Sequence, residues 1–115
     1  MMINVKRVYE DKSSNDGFRI LVDRLWPRGV SREKARIDLW IKEIAPSAQL
    51  RSWFSHKAEK WLAFRDRYFQ ELDTHGDSLL QVRALAGKMT VTLLFAAKDE
   101  RHNNAVALKE YLMRR

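Results

Sequence analysis

At 115 residues, 45% of them hydrophobic and with four Trp, five Phe and three Tyr, the chain is long enough to bury one core and too short for two, so residues 1–115 read as a single folded domain. Its 22 Lys plus Arg against 15 Asp plus Glu give a formal net charge of +7, which serves solubility first and favours anionic partners in general. There is no cysteine, so thiol nucleophiles, thiolate metal sites, redox pairs and disulfides are excluded.

Residues 3–9 carry β-branched and aromatic side chains at strand spacing, with Lys6 and Arg7 interrupting the alternation as at an edge or a strand end. Residues 10–17 contain no apolar side chain and have turn chemistry throughout. The next strand, over 18–22, ends in Ile20-Leu21-Val22, a continuous apolar run of the kind found where both faces are covered. Pro27 cannot donate to a ladder and Gly29 permits a positive φ, so the chain leaves the sheet near Trp26.

Ser31 is then placed to cap a helix with Glu33 in its first turn. Ile37, Trp40, Ile41 and Ile44 recur at i, i+3, i+4 and i+7, which predicts one helical face until Pro46 stops it. Ser47 caps a short helix through Leu50, Trp53 and Phe54. Over 58–72, Trp61, Phe64, Tyr68 and Leu72, flanked by Leu62 and Phe69, make the most strongly amphipathic helix, with its aromatics in the core. Gly76 fits a helix C-terminus, and Ser78 caps a further helix over 79–86 that Gly87 closes.

Residues 90–97, with Val91, Leu93, Leu94 and Phe95, form the second central strand. His102 or Asn103 caps the last helix, whose inner face is Ala105, Leu108 and Leu112. The order predicts an α/β fold with a small, mostly parallel central sheet of about three strands, covered by several helices. The helical connection favours parallel pairing of 18–23 with 90–97. The loop over 10–17 is shorter than the roughly 10–12 residues of a usual crossover, which leaves the direction of the first strand open. No apolar run approaches the roughly 18–20 residues of a membrane span, and residues 1–7 lack the apolar core of a signal peptide, so a cytoplasmic protein without membrane contact is expected.

In open α/β sheets ligands sit beyond the carboxyl ends of parallel strands, so the two loops after the central strands share one rim. The first brings Asp23, Arg24, Trp26 and Arg28; the second brings Lys98, Asp99, Arg101 and His102, followed by a helix N-terminus. Guanidinium forks and a helix N-terminus both suit a phosphate or carboxylate. Each residue also has a plainer role. Asp23 can pair with a neighbouring cation, Trp26 can pack on the next helix, and His102 can cap a helix rather than move a proton. No Gly-x-Ser-x-Gly, Gly-x-Gly-x-x-Gly, Walker lysine or metal-ligand motif occurs, so neither a metal nor a cofactor is expected.

Val22-Asp23-Arg24-Leu25-Trp26-Pro27-Arg28-Gly29, the stretch Asp38-Leu39-Trp40-Ile41-Lys42-Glu43-Ile44-Ala45-Pro46-Ser47, and Leu93-Leu94-Phe95-Ala96-Ala97-Lys98-Asp99 with His102-Asn103 resemble the YeaO-like branch of the domain-of-unknown-function 488 family. The resemblance covers essentially the whole chain and implies an α/β domain of uncharacterised biochemical function. It also implies recurring polar positions at the first motif's Asp and at a Cys-His-Arg-like step after the last strand. Asp23 and His102 match two of them, whereas Arg101 stands at the Cys position and Asn103 at the Arg position.

The leading reading is a basic anion-binding cleft for a phosphorylated or nucleotide-like small molecule, enzymatic or merely enzyme-like. Arg24, Arg28, Lys42, Lys98 and Asn103 would hold the anion, Trp26 would wall the pocket, and Asp23 or His102 would move a proton. Lys42 enters through the resemblance; alone it is a solvated helical lysine. One alternative is a nucleic-acid-binding module using Arg28, Arg32, Lys34 and Arg36, and another is a regulatory or interaction domain without catalysis. No oligomeric state follows from the sequence.

Overall fold

Both apolar runs form strands at the centre of a sheet, because each presents apolar side chains to both faces and so needs cover on both. The computed structural model of the chain describes residues 1–114. Its sheet comprises β1 (Ile3–Arg7), β2 (Phe18–Leu21), β3 (Leu39–Trp40) and β4 (Val91–Phe95), all parallel and in the order β1-β4-β2-β3. The pairing of β2 with β4 is the parallel one expected. The first strand, whose direction the sequence leaves open, is also parallel to β4, with Ile3 opposite Val91.

On one face of the sheet lie the helices α2 (Ala48–Phe54), α3 (Trp61–Leu72), α4 (Gly76–Lys88) and α5 (Asn104–Met113). Ile20, Val22, Val91, Leu93 and Phe95 meet Phe64, Tyr68, Leu72 and Leu108 there in one core. The opposite face is covered by connecting chain and carries a smaller cluster of Val8, Leu21, Ile37 and Leu94, edged by Trp26 and Trp40. A buried ion pair shares that face. Arg19 is fully buried, with Nη1 donating to Asp16 Oδ2 at 2.6 Å and its other nitrogens donating to the carbonyls of Ala35 and Arg36. Lys6 Nζ also reaches Asp16 Oδ2 at 3.1 Å, so the loop that carries the chain from β1 past β4 is pinned by charge rather than by a helix.

The helix expected from Ser31 to Ile44 does not form. Ser31 caps only the single turn α1 (Arg32–Ala35), which Arg36 ends in the left-handed conformation at φ 54°. Leu39 and Trp40 then pair with Ile20 and Leu21 as the fourth strand, followed by a 3-10 turn over Lys42–Ile44. Ile37 and Trp40 pack on one sheet face, Ile41 and Ile44 on the other, so a spacing that also fits a helix is used to straddle an edge strand. Gly76 opens α4 rather than closing its predecessor, and Gly87 lies inside α4, which runs on to Lys88. Among the described residues no helix is long and apolar enough to cross a membrane.

Candidate functional site

The strand ends of β2 and β4 are joined by a side chain that follows directly from the sequence. Asp23, two residues beyond β2, accepts the Ala96 N–H into Oδ2 at 2.9 Å. Its Oδ1 accepts from Asn104 Nδ2 at 3.0 Å, in the first turn of α5. Asp23 is half-buried, and burial raises its pKa above the ordinary aspartate value. The hydrogen bonds from Asn104 and Ala96 and the charge of Arg51 oppose that rise without cancelling it.

Above Asp23 opens a cleft of about 490 Å³, within the range of small-molecule sites. Its apolar walls include Trp26, Phe54, Phe64, Pro27 and Pro46. Trp26 packs edge-on against Trp40 at 5.3 Å between ring centroids and donates its indole N–H to Val30 O at 2.8 Å. The indole therefore both packs and walls the cleft, offering it ring surface and no hydrogen-bond donor.

The cations divide into spent and free. Arg24 lines the cleft, but Nε and Nη2 donate to Pro46 O at 3.2 Å and Ala45 O at 3.4 Å, where the 3-10 turn ends. Arg28 lines it too, is exposed, and has no side-chain hydrogen bond or ion pair among the described residues. Arg51, on α2, is equally exposed and unpaired. One further cleft residue comes from the loop after α2. Ser55 and His56 are both left-handed, at φ 47° and 57°, so the chain turns sharply off α2 and brings His56 to the rim.

His102 lines the same cleft, held by Asp99 through its backbone N–H at 3.0 Å and through Nδ1 at 2.9 Å. The His102 contact holds the Asp99 carboxyl below its ordinary pKa. With Nδ1 committed and the ring edge-on to Trp61 at 5.4 Å, Nε2 is the imidazole atom left for a ligand.

Of the residues singled out in the sequence, Asp23, Arg24, Trp26, Arg28, His102 and Asn103 therefore converge on one cleft. Asn103 is buried and engaged at both ends of its amide: Oδ1 accepts the Val106 N–H at 2.9 Å as the cap of α5, and Nδ2 donates to Asp99 O at 2.9 Å. Lys42 and Lys98 are exposed and lie outside the cleft lining, Lys42 sitting 5.5 Å from the Trp40 ring centroid. Arg51, Ser52, His56 and Asn104 are the polar cleft residues that sequence reasoning did not assign to this site. Asn104 was within reach of it, as the first residue of a helix placed at the rim. Arg51 and His56 had no such signal, because their place depends on how α2 docks.

Over residues 2–115 the chain matches the family described as the inactive DUF488-N3 subclade. It is 41% identical over 112 residues to the uncharacterized protein YeaO of Escherichia coli (strain K12), with 97% of each chain covered. It is 38% identical over 110 residues to the uncharacterized protein Rv3073c of Mycobacterium tuberculosis (strain ATCC 25618 / H37Rv), covering 96% of this chain and 92% of the relative. No solved structure matches it.

Proposed function

The chain belongs to the inactive DUF488-N3 subclade, and from that premise we propose that it is a binding domain for a phosphorylated small molecule rather than an enzyme. The observation that carries this reading is the pair of exposed guanidiniums, Arg28 and Arg51, which have no hydrogen bond or ion pair among the described residues, on the rim of one aromatic-walled cleft. A guanidinium without a carboxylate partner is free to take a phosphate bidentately. The subclade's description as inactive favours binding over turnover. So does the cysteine-free sequence, which leaves Asp23 and His102 as the candidate proton-handling groups without a thiol beside them. In this reading Asp23 and His102 contact the ligand but do no chemistry on it.

Thermal unfolding in the presence of ribose 5-phosphate or a nucleoside monophosphate tests the proposal. A ligand that binds only the folded state stabilises it by roughly 2.7 kcal/mol at a hundredfold excess over Kd. The stabilisation should vanish in Arg28→Ala/Arg51→Ala. Binding that instead requires a duplex, and falls with salt by a log-log slope of about −0.9 per phosphate contacted, would replace this reading with a nucleic-acid-binding one.

A further inference from the structure

The floor and rim of the cleft have opposite chemistry. At the floor, the Asp23 carboxylate accepts from Ala96 N–H and Asn104 Nδ2, and no cation makes a hydrogen bond with it. Asn104 Nδ2, the donor end of its amide, lies 3.0 Å from two acceptors, Asp23 Oδ1 and Val22 O. Its Oδ1 accepts nothing among the described residues. The side chains of Asp23 and Asn104 thus offer acceptors to the cleft, with the Asn104 amide donors already used. A carboxylate there repels a phosphate; the Arg24 guanidinium is drawn off to the carbonyls of Ala45 and Pro46, and only the charge of Arg51 acts on Asp23, without a hydrogen bond to it.

Asn103 Oδ1 already takes the Val106 N–H, and the Asn104 side chain bridges the first turn to Asp23. Between floor and rim the walls are aromatic: Trp26 presents ring surface, and Phe54 and Phe64 stack on each other with centroids 4.3 Å apart. Among the described residues, the cleft guanidiniums without a hydrogen bond or ion pair are the exposed ones of Arg28 and Arg51.

Building on the binding reading above, we infer that the ligand is a nucleoside monophosphate held base-inward, its amino-bearing base against Asp23 and Asn104 and its phosphate between Arg28 and Arg51. A flat heterocycle suits the aromatic walls, and an exocyclic amine supplies the donors that the floor lacks. Adenine and cytosine carry such an amine; hypoxanthine and uracil place a carbonyl at the same position. That carbonyl would face the carboxylate and leave those bases one ring N–H as donor where the amine offers two, a mismatch that polar sites discriminate against.

Calorimetric titration of the wild-type protein with CMP against UMP and AMP against IMP, with ribose 5-phosphate as the base-free probe, tests this. The amino-bearing member of each pair should bind roughly tenfold or more tightly. Arg28→Ala and Arg51→Ala should weaken both members of a pair alike, and Asp23→Asn should erase the difference between them. Saturation-transfer NMR on the wild type gives an independent reading: the base protons should receive more saturation than the ribose H5′ protons. Equal affinity within both pairs, or strongest saturation at H5′, would overturn the base-inward orientation. So would tighter binding of ribose 5-phosphate to Asp23→Asn than to the wild type, since it would put the phosphate at the floor. If none of the phosphorylated probes binds at all, the binding reading itself falls, and the orientation with it.

Discussion

Asn104 Nδ2 donates at 3.0 Å to both Asp23 Oδ1 and Val22 O, so one amide ties the start of α5 to the chain leaving β2. Together with the Ala96 N–H on Asp23 Oδ2, it locks two strand ends and a helix N-terminus into one unit. Asn104→Ala should leave the Val22 carbonyl and one carboxylate oxygen without their donor and cost about 1–3 kcal/mol, measured by urea unfolding. It should also raise the Asp23 pKa further, because the lost hydrogen bond favours the charged form.

Titration of the carboxylates should separate them in a fixed order. Burial raises the Asp23 pKa above its ordinary value, so the folded state holds that proton more tightly than the unfolded chain does. Between the ordinary aspartate value and the raised one, folding takes up a proton, and the Asp23 contribution to stability improves as pH falls; above that window the fold carries its full cost. Asp16 behaves oppositely. Burial alone would raise its pKa, but the Ser13 N–H, Lys6 and Arg19 outweigh burial and lower it. Its stabilisation is present above the ordinary aspartate value and is lost as pH falls through the folded one. Carboxylate-resolved NMR should therefore show Asp23 protonating first on acidification, with Asp16 and Asp99 after it.

The Asp16–Arg19 pair should be far less tolerant of breaking than of replacement. Arg19 has no exposed surface, and Asp16 Oδ2 is its carboxylate partner at 2.6 Å. Asp16→Ala leaves a buried guanidinium without a counter-ion and should cost about 3–5 kcal/mol. Asp16→Ala combined with Arg19→Met should recover part of that loss in the same denaturation assay.

Gly17 should accept no side chain. It sits at φ +63°, and a Cβ there would overlap the Thr90 carbonyl, which is already held by the Phe18 N–H at 2.9 Å. Gly17→Ala should lose more than the roughly 1–3 kcal/mol of left-handed strain alone, because the β2 and β4 ends would have to separate. Circular dichroism melts would show the loss directly.

The parts of this architecture that rest on local pattern were readable before the structure. Ile20-Leu21-Val22 is apolar on successive residues and Val91 to Phe95 is so apart from Thr92, and both are central strands with their ends on one rim. The inner face of Ala105, Leu108 and Leu112 was equally plain, and all three side chains are buried, while the cap, open in the sequence between His102 and Asn103, falls to Asn103. Leu39–Trp40 was not readable as a strand. Ile37, Trp40, Ile41 and Ile44 satisfy a 3.6-residue period, and only the left-handed turn at Arg36 and the free edge of β2 decide against a helix.

Charged residues were the least legible. Arg19 follows Phe18 as an outward-facing strand residue would, yet the loop over residues 8–17 covers that face and buries it. The cleft's positive charge was expected from Arg24, Lys42 and Lys98 as well as Arg28. Tertiary packing commits Arg24 to carbonyls, leaves Lys42 and Lys98 outside the lining, and supplies Arg51 from α2 instead. A side chain's type shows what it can bind, whereas its freedom to do so is set by partners far away in the chain.

The most direct measurement of the central claim is calorimetric titration of CMP into the wild-type protein and into Arg28→Ala/Arg51→Ala at fixed ionic strength. Saturable binding by the wild type, weakened roughly a hundredfold or more in the double variant, is the predicted result. Equal affinity in the two proteins would contradict the claim, because it would show that the unpaired guanidiniums on the rim hold no phosphate.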